Sequence, residues 1–414
     1  MRTTKMFLGL CTLFSFVLFS TIFTGCKGKD GEIGPAGANG SNGTNGIDGL
    51  DGVDGVDANS FCRDCHNAAN WSAVIAQLES SKHGDREGNM AEEGQRKDCA
   101  KCHSAQGFLA TLENGLDTPS VNYGSNSQWA ASTNFTLTCN VCHEFHGTLD
   151  ETDFPNYALR HIPAFAPIAN KSITWDFGGS NACMSCHQNR PNTSVKIAGV
   201  TVGLDTIPDA TMVQITSQRY GGHHGPQGQL YAGVGKGSYE VTGTATYANS
   251  TMHSSLICGD CHILSTADNT DKTGGHYYKL ADRNETTHAV IAGTENVSKC
   301  VSCHSSATNH NINNVQTDVK QLMLDIETKL ISKNIMKNSA VGTNGYGGVN
   351  TDGYILGDNG TGNASSSNPR TVTAKQAKAI YNFKCIYEDY SYGVHNPTYF
   401  KALLTNSKAV INTL

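Results

Sequence analysis

One five-residue pattern, Cys-x-x-Cys-His, occurs six times in this chain of 414 residues and constrains everything else about it. The copies are Cys62-Arg-Asp-Cys65-His66, Cys99-Ala-Lys-Cys102-His103, Cys139-Asn-Val-Cys142-His143, Cys183-Met-Ser-Cys186-His187, Cys258-Gly-Asp-Cys261-His262 and Cys300-Val-Ser-Cys303-His304. Even at this Cys and His content, chance would almost never produce one. Two thiols at this spacing can add across the two vinyl groups of one haem, and the next residue offers an imidazole to the iron from the same turn. The pattern therefore predicts six covalently attached haem c groups, numbered sites I to VI in chain order. Cys-x-x-Cys pairs also bind zinc or form redox disulfides. Neither chemistry needs a His after every pair, and zinc would want the pairs to combine two by two.

The length allows one large or two ordinary domains. With 38% hydrophobic residues and 44 glycines, the chain is poor in the aliphatic material of an ordinary core. Large apolar haem plates would make up that deficit. The net charge of -6 would become more negative with haem propionates, and no basic block invites nucleic acid. Of 15 cysteines, those outside the motifs are Cys11, Cys26 and Cys385. Cys385, among Phe383, Ile386 and Tyr387, reads as a buried apolar residue.

Haem c is attached outside the cytoplasm, so an export signal is expected. Arg2 and Lys5 precede an apolar run from Met6 to Ile22, and Phe23-Thr24-Gly25-Cys26 looks like a bacterial lipobox. The expectation is a signal peptide over 1–25, cleavage before Cys26 and lipidation of its thiol; the alternative is ordinary cleavage with Cys26 incidental. Lys27 in the next position favours the outer membrane. Glycine then falls at every third position from Gly31 to Gly55, as in collagen, but Pro35 is the only proline there. The stretch 26–58 reads as a lipidated, flexible polar tether, with a short trimeric stalk as the alternative. At ~3 Å per residue it would reach roughly 80 Å.

The six motifs occupy 59–310, and the sequences between them do not resemble one another, so no solenoid is implied. Trp71, Val74, Ile75 and Leu78 share one helical face, and that helix ends by presenting His83. Residues 190–250 read as loops with a short hairpin. Beyond 311 the style changes. Val315, Val319, Leu322, Ile326 and Leu330 form an amphipathic stripe; a Gly-, Asn- and Ser-rich loop spans 341–369. Helical stretches follow at 372–388 and 398–412, with Pro397 near the start of the second. The fold class is mainly α with extensive irregular loops around a haem core. Region 311–414 supplies long helices that cover that core or form a subunit interface.

Ten histidines lie outside the motifs: His83, His146, His161, His223, His224, His253, His276, His288, His310 and His395. Six-coordinate iron with two imidazoles needs one more His per haem, so the supply suffices. The sequence resembles a family of bacterial multihaem cytochromes c of respiratory electron transfer, distantly similar in organisation to the nitrite reductase and octahaem groups. The marks of resemblance are Ser81-Lys82-His83-Gly84, Gly107-Phe108 after the second motif, and His146-Gly147 leading to Leu159-Arg160. Further marks are Arg190, His223-His224-Gly225-Pro226-Gln227, Met252-His253, Gly274-Gly275-His276, and Tyr381-Asn382 with Asp389 to Pro397. The resemblance implies a multihaem cytochrome c fold and distal iron ligands at His83, His146, one of His223 and His224 (His224 slightly preferred), His253, His276 and His395. His161, His288 and His310 are spare in this reading.

The function expected is electron transfer along six bis-His haems at the periplasmic or outer cell surface, with other redox proteins or an extracellular acceptor as partners. The alternatives are a reductase of a small nitrogen or sulfur compound, which would need an open iron, and a subunit of a cytochrome filament. Contacts with the membrane run through the lipid anchor. Homo-oligomers are conceivable as a trimer through the Gly-x-y segment, a dimer through the C-terminal helices, or the filament.

Overall fold

The computed structural model describes residues 67–85, 93–94, 96–116, 136–144, 159–264, 272–284, 290–337 and 353–414. Site I, Cys26, the Gly-x-y segment, His146, His288 and the 341–352 part of the expected loop lie outside these residues. All described residues belong to one unit running from Ala58 to Leu414.

Helix α1 spans Ala68–Glu79, capped by Asn67, whose side chain accepts from the Ala69 N–H. Its stripe of Val74, Ile75 and Leu78 is half-buried and Trp71 is exposed. The next regular helix, α2 (Ala105–Asn114), begins where Ser104 Oγ accepts from Gly107 N–H. Between and after these, the motifs form single turns.

A four-stranded antiparallel sheet joins β1 (Val195–Ile197), β2 (Val200–Thr201), β3 (Met212–Ile215) and β4 (Arg370–Thr373) in the order β2-β1-β3-β4. The hairpin expected within 190–250 is β1–β2. Its two-residue loop, Ala198 and Gly199, has φ of +48° and +83°, the left-handed pair that suits the twist of flanking strands. The sequence pattern missed β4: residues 370–373 sit in the expected loop and helix start, yet pair with β3 from Met212↔Thr373 to Ile215↔Arg370. Four residues are too few to show alternation, so the partner strand decides.

Helix α3 (Gln227–Ala232) follows the sheet, and three long helices close the chain: α4 (Val315–Ser332), α5 (Ala374–Asp389) and α6 (Pro397–Ile411). The buried stripe of α4 is Val315, Val319, Met323, Ile326 and Leu330, so Met323 replaces Leu322 of the expected set. Thr373 and Gln376 form a reciprocal capping box at the start of α5, and Pro397 occupies the first turn of α6. From Ala377 onward α5 is buried on nearly every side, with α6 packed along it and α4 along α6. The main apolar core unites these helices with Val195, Leu204, Val213, Ile215, Tyr220 and Leu230, so the 195–241 segment and the C-terminal helices share one interior. Cys385 is buried in it, as expected. A second, smaller core gathers Phe108, Val141, Ile162, Phe165, Trp175 and Met184 near the motif turns. Among the described residues no helix is long and apolar enough to cross a membrane.

Candidate haem-binding sites

Five motifs fall within the described residues, and their backbones follow one rule. The His N–H returns to the carbonyl of the first Cys in sites II, III, IV and VI: His103 at 3.1 Å, His143 at 2.8 Å, His187 at 2.9 Å and His304 at 2.7 Å. In site V the whole motif is the helix Cys258–His262. One helical turn places residues i, i+3 and i+4 on a single side, so both thiols and the imidazole point the same way. That is the geometry two thioethers and one axial nitrogen require of the same haem.

The decisive geometry lies between motif and non-motif histidines. Ring centroids are 6.2 Å apart for His103 and His223, 6.2 Å for His143 and His276, 6.0 Å for His187 and His83, and 6.2 Å for His262 and His395. Two metal–imidazole bonds of about 2.0 Å each, plus about 1.1 Å from each nitrogen to its ring centre, give about 6.2 Å across one metal ion. The four pairs match that span. In sites II to V the spacing of the rings therefore fits two imidazoles on one metal ion.

Hydrogen bonds fix which ring nitrogen is available. His187 Nδ1–H donates to Gln227 Oε1 at 2.9 Å, His262 Nδ1–H to the Tyr278 carbonyl at 2.7 Å, and His395 Nδ1–H to Asp389 Oδ2 at 2.7 Å. With Nδ1 engaged, Nε2 is left to face the partner ring. Burial pushes His83 down to about 3, and His223 and His262 down to about 4; it also lowers His103, His187 and His276. These rings are neutral at physiological pH, the form that binds a metal. His395 is the exception: burial would lower it, but the Asp389 carboxylate outweighs burial and raises it.

For the expected pair His223 and His224, the ring facing His103 is His223. The backbone N–H of His223 donates to Asn189 Oδ1 at 3.0 Å, and His224 Nδ1–H donates to Glu388 Oε2 at 2.6 Å, which raises the pKa of His224. His253 donates from Nδ1 to the Val394 carbonyl at 2.7 Å. Neither His253 nor His304 has a facing imidazole among the described residues. Both nitrogens of His310 are engaged, Nδ1 with Glu295 at 3.1 Å and Nε2 with the Asn296 carbonyl at 3.0 Å, so it closes the loop around site VI. His161 is exposed.

Several supporting residues carried no readable role in the sequence. Arg160 Nη2 donates to the carbonyls of Asn140 (2.8 Å) and His143 (3.3 Å), and its N–H donates to Cys142 O at 2.7 Å, pinning the site III turn. Gly228 lets α3 lie against site IV: its N–H donates to His187 O at 2.9 Å, and a Cβ there would stand 2.5 Å from that oxygen. Tyr278, at φ +58°, packs its ring 4.7 Å from His83 and 5.7 Å from His276 while its carbonyl holds His262. Sites III, IV and V therefore meet at one tyrosine. The motif turns also approach one another: Cys186 Sγ of site IV lies 3.8 Å from the Lys101 carbonyl of site II, and the Cys258 N–H of site V donates to Ser180 Oγ, just before site IV, at 3.1 Å. Among the described residues no three His, Cys, Asp or Glu side chains converge as a metal cage.

No family model matches the chain, and no curated protein matches it. Among solved structures it is similar to an outer cell wall cytochrome, OcwA, at 18% identity and a TM-score of 0.43. The match covers 82% of this chain and 50% of that one, so the chain spans about half the length of that cytochrome.

Proposed function

We propose that this protein is an exported multihaem c-type cytochrome that carries electrons along bis-His haems. The observation that carries the reading is the set of four motif histidines, each facing a non-motif histidine at 6.0–6.2 Å. Haem supplies one-electron chemistry at iron. The chain's residues hold it by thioethers, fill both axial positions and, in the second core, exclude water around Trp175 and Phe108. Six haems in all is the count the motifs support, with sites I and VI completed from His146, His253 or other residues. The lipobox supports anchoring through Cys26 at the outer membrane, and redox proteins or an extracellular acceptor are the partners.

The test is the purified, haem-loaded protein itself. Its intact mass should exceed the mature polypeptide by six haems plus lipid, and its electron paramagnetic resonance spectrum should be low-spin throughout. Fewer haems defeat the count. A high-spin ferric signal in the unmodified protein would move the reading to the reductase. His83→Ala should turn one haem of the set high-spin, and Cys26→Ala should release the protein from membranes.

A further inference from the structure

The facing histidines of sites II, IV and V differ in what their outer nitrogen meets. In site V both rings are tied, His262 to a backbone carbonyl and His395 to a carboxylate. Asp389 is 2% exposed, and its second oxygen accepts from the Ser391 N–H at 2.9 Å, so the charge is held against the ring. In site IV the acceptor is the neutral amide of Gln227, whose Nε2 donates to Asp389 O at 3.2 Å and so keeps Oε1 turned to His187. In site II, His103 Nδ1 is buried with no hydrogen-bond partner. The Arg190 guanidinium stands beside that site, 4.0 Å from Cys99 Sγ, and the Glu93 carboxylate opposes it there. Glu93 is close by, but Arg96 holds it in an ion pair of 2.9 Å.

An acceptor on Nδ1 makes an imidazole a stronger electron donor to its metal, and an anionic acceptor does so most. A stronger donor favours ferric over ferrous iron and lowers the potential; a neighbouring cation raises it. Resting on the bis-His reading above, we propose that Asp389, Gln227 and Arg190 grade these sites in potential, with V lowest, IV between and II highest. The contacts of the Cys258 N–H of site V with Ser180 Oγ beside site IV (3.1 Å), and of Cys186 Sγ of site IV with the Lys101 carbonyl of site II (3.8 Å), make the three consecutive. The grading gives the conduit a direction, from V through IV to II. Each transfer oxidises one ferrous iron to ferric and reduces its ferric neighbour to ferrous, with no proton moved. A reduced redox protein feeds the site V end, and an oxidised acceptor drains the site II end.

The experiment is potentiometric titration of the whole haem-loaded protein, followed by electron paramagnetic resonance. Asp389→Asn should move one component upward and leave the others in place, and Asp389→Glu should restore it. Arg190→Gln should move a second component, higher in potential than the first, downward. Gln227→Glu, which adds a carboxylate at His187, should move an intermediate component downward. An Asp389→Asn protein with every haem still low-spin and no component moved upward would overturn the proposal. Should that variant turn a haem high-spin, Gln227→Glu decides: a downward shift supports the grading and an unmoved titration overturns it. A native protein without low-spin haem defeats the functional reading instead, so the two failures are distinguishable.

Discussion

The segment 96–190 and the helices α4 to α6 are built from one chain by different physics. The C-terminal helices bury continuous apolar faces: Val319, Ile326, Leu330, Ile380, Tyr399, Phe400, Leu403 and Leu404 are all fully buried. At roughly 1.5–3 kcal/mol per buried large side chain, that interior needs no cofactor to form. Among its described residues the motif segment has one regular helix, α2, single turns and a small apolar cluster, and its buried residues include Ser104, Asn181, Gln188 and Asn189. Its polar groups are satisfied locally: Gln188 Oε1 accepts from Ile168 N–H at 2.7 Å, and Asn181 Nδ2 donates to Ile162 O at 3.0 Å. Such a network positions loops but contributes little net stability, about 1 kcal/mol per bond. What it surrounds is the set of facing histidines. One region is held by its own apolar side chains; the other brings histidine rings face to face.

The sharpest way to break this contrast is to withhold haem. Amide exchange on protein made without haem attachment should show residues 96–190 unprotected while α5 and α6 keep protection; equal loss in both regions would end the distinction. Next in size is Phe400→Ala, which should cost about 3–5 kcal/mol in denaturant unfolding and leave the haem spectrum unchanged.

A pH effect is also expected within the helical region. Burial raises Glu327 to about 7 from its ordinary 4.5, with Lys384 partly opposing. Because the folded pKa lies above the unfolded one, its contribution is complete below about 4.5 and is lost as pH rises through about 7, by up to about 3 kcal/mol. Unfolding measured at pH 5 and pH 8 should show this slope, and Glu327→Gln should flatten it. The smallest effect is Thr373→Ala, which removes the cap of α5 at a cost of about 1 kcal/mol, read from the unfolding midpoint.

What could be read from the sequence follows the same division. The long helices were legible because burial repeats every 3.6 residues over four or more turns, enough to place α4 to within one substitution of Met323 for Leu322. The cap at Thr373 and Pro397 in the first turn of α6 sharpen two of the ends. Strand β4 escaped because its four residues acquire meaning only opposite Met212–Ile215. In the motif segment, the spacing within five residues marked each turn, since the thiols and imidazole are neighbours along the chain.

The sequence by itself determined the motif turns, the number of motifs and the pool of histidines, because each is a property of local spacing or of counting. Only the tertiary structure decided the pairing. His187 faces His83 from 104 positions away, His143 faces His276, and His262 faces His395, while His223 rather than its neighbour meets His103. The second partners Asp389, Gln227 and Tyr278 were present in plain view, yet their role depends on which ring each one touches. Distances between residues far apart in the chain are set by how helices, sheet and loops pack, and no short-range pattern encodes them.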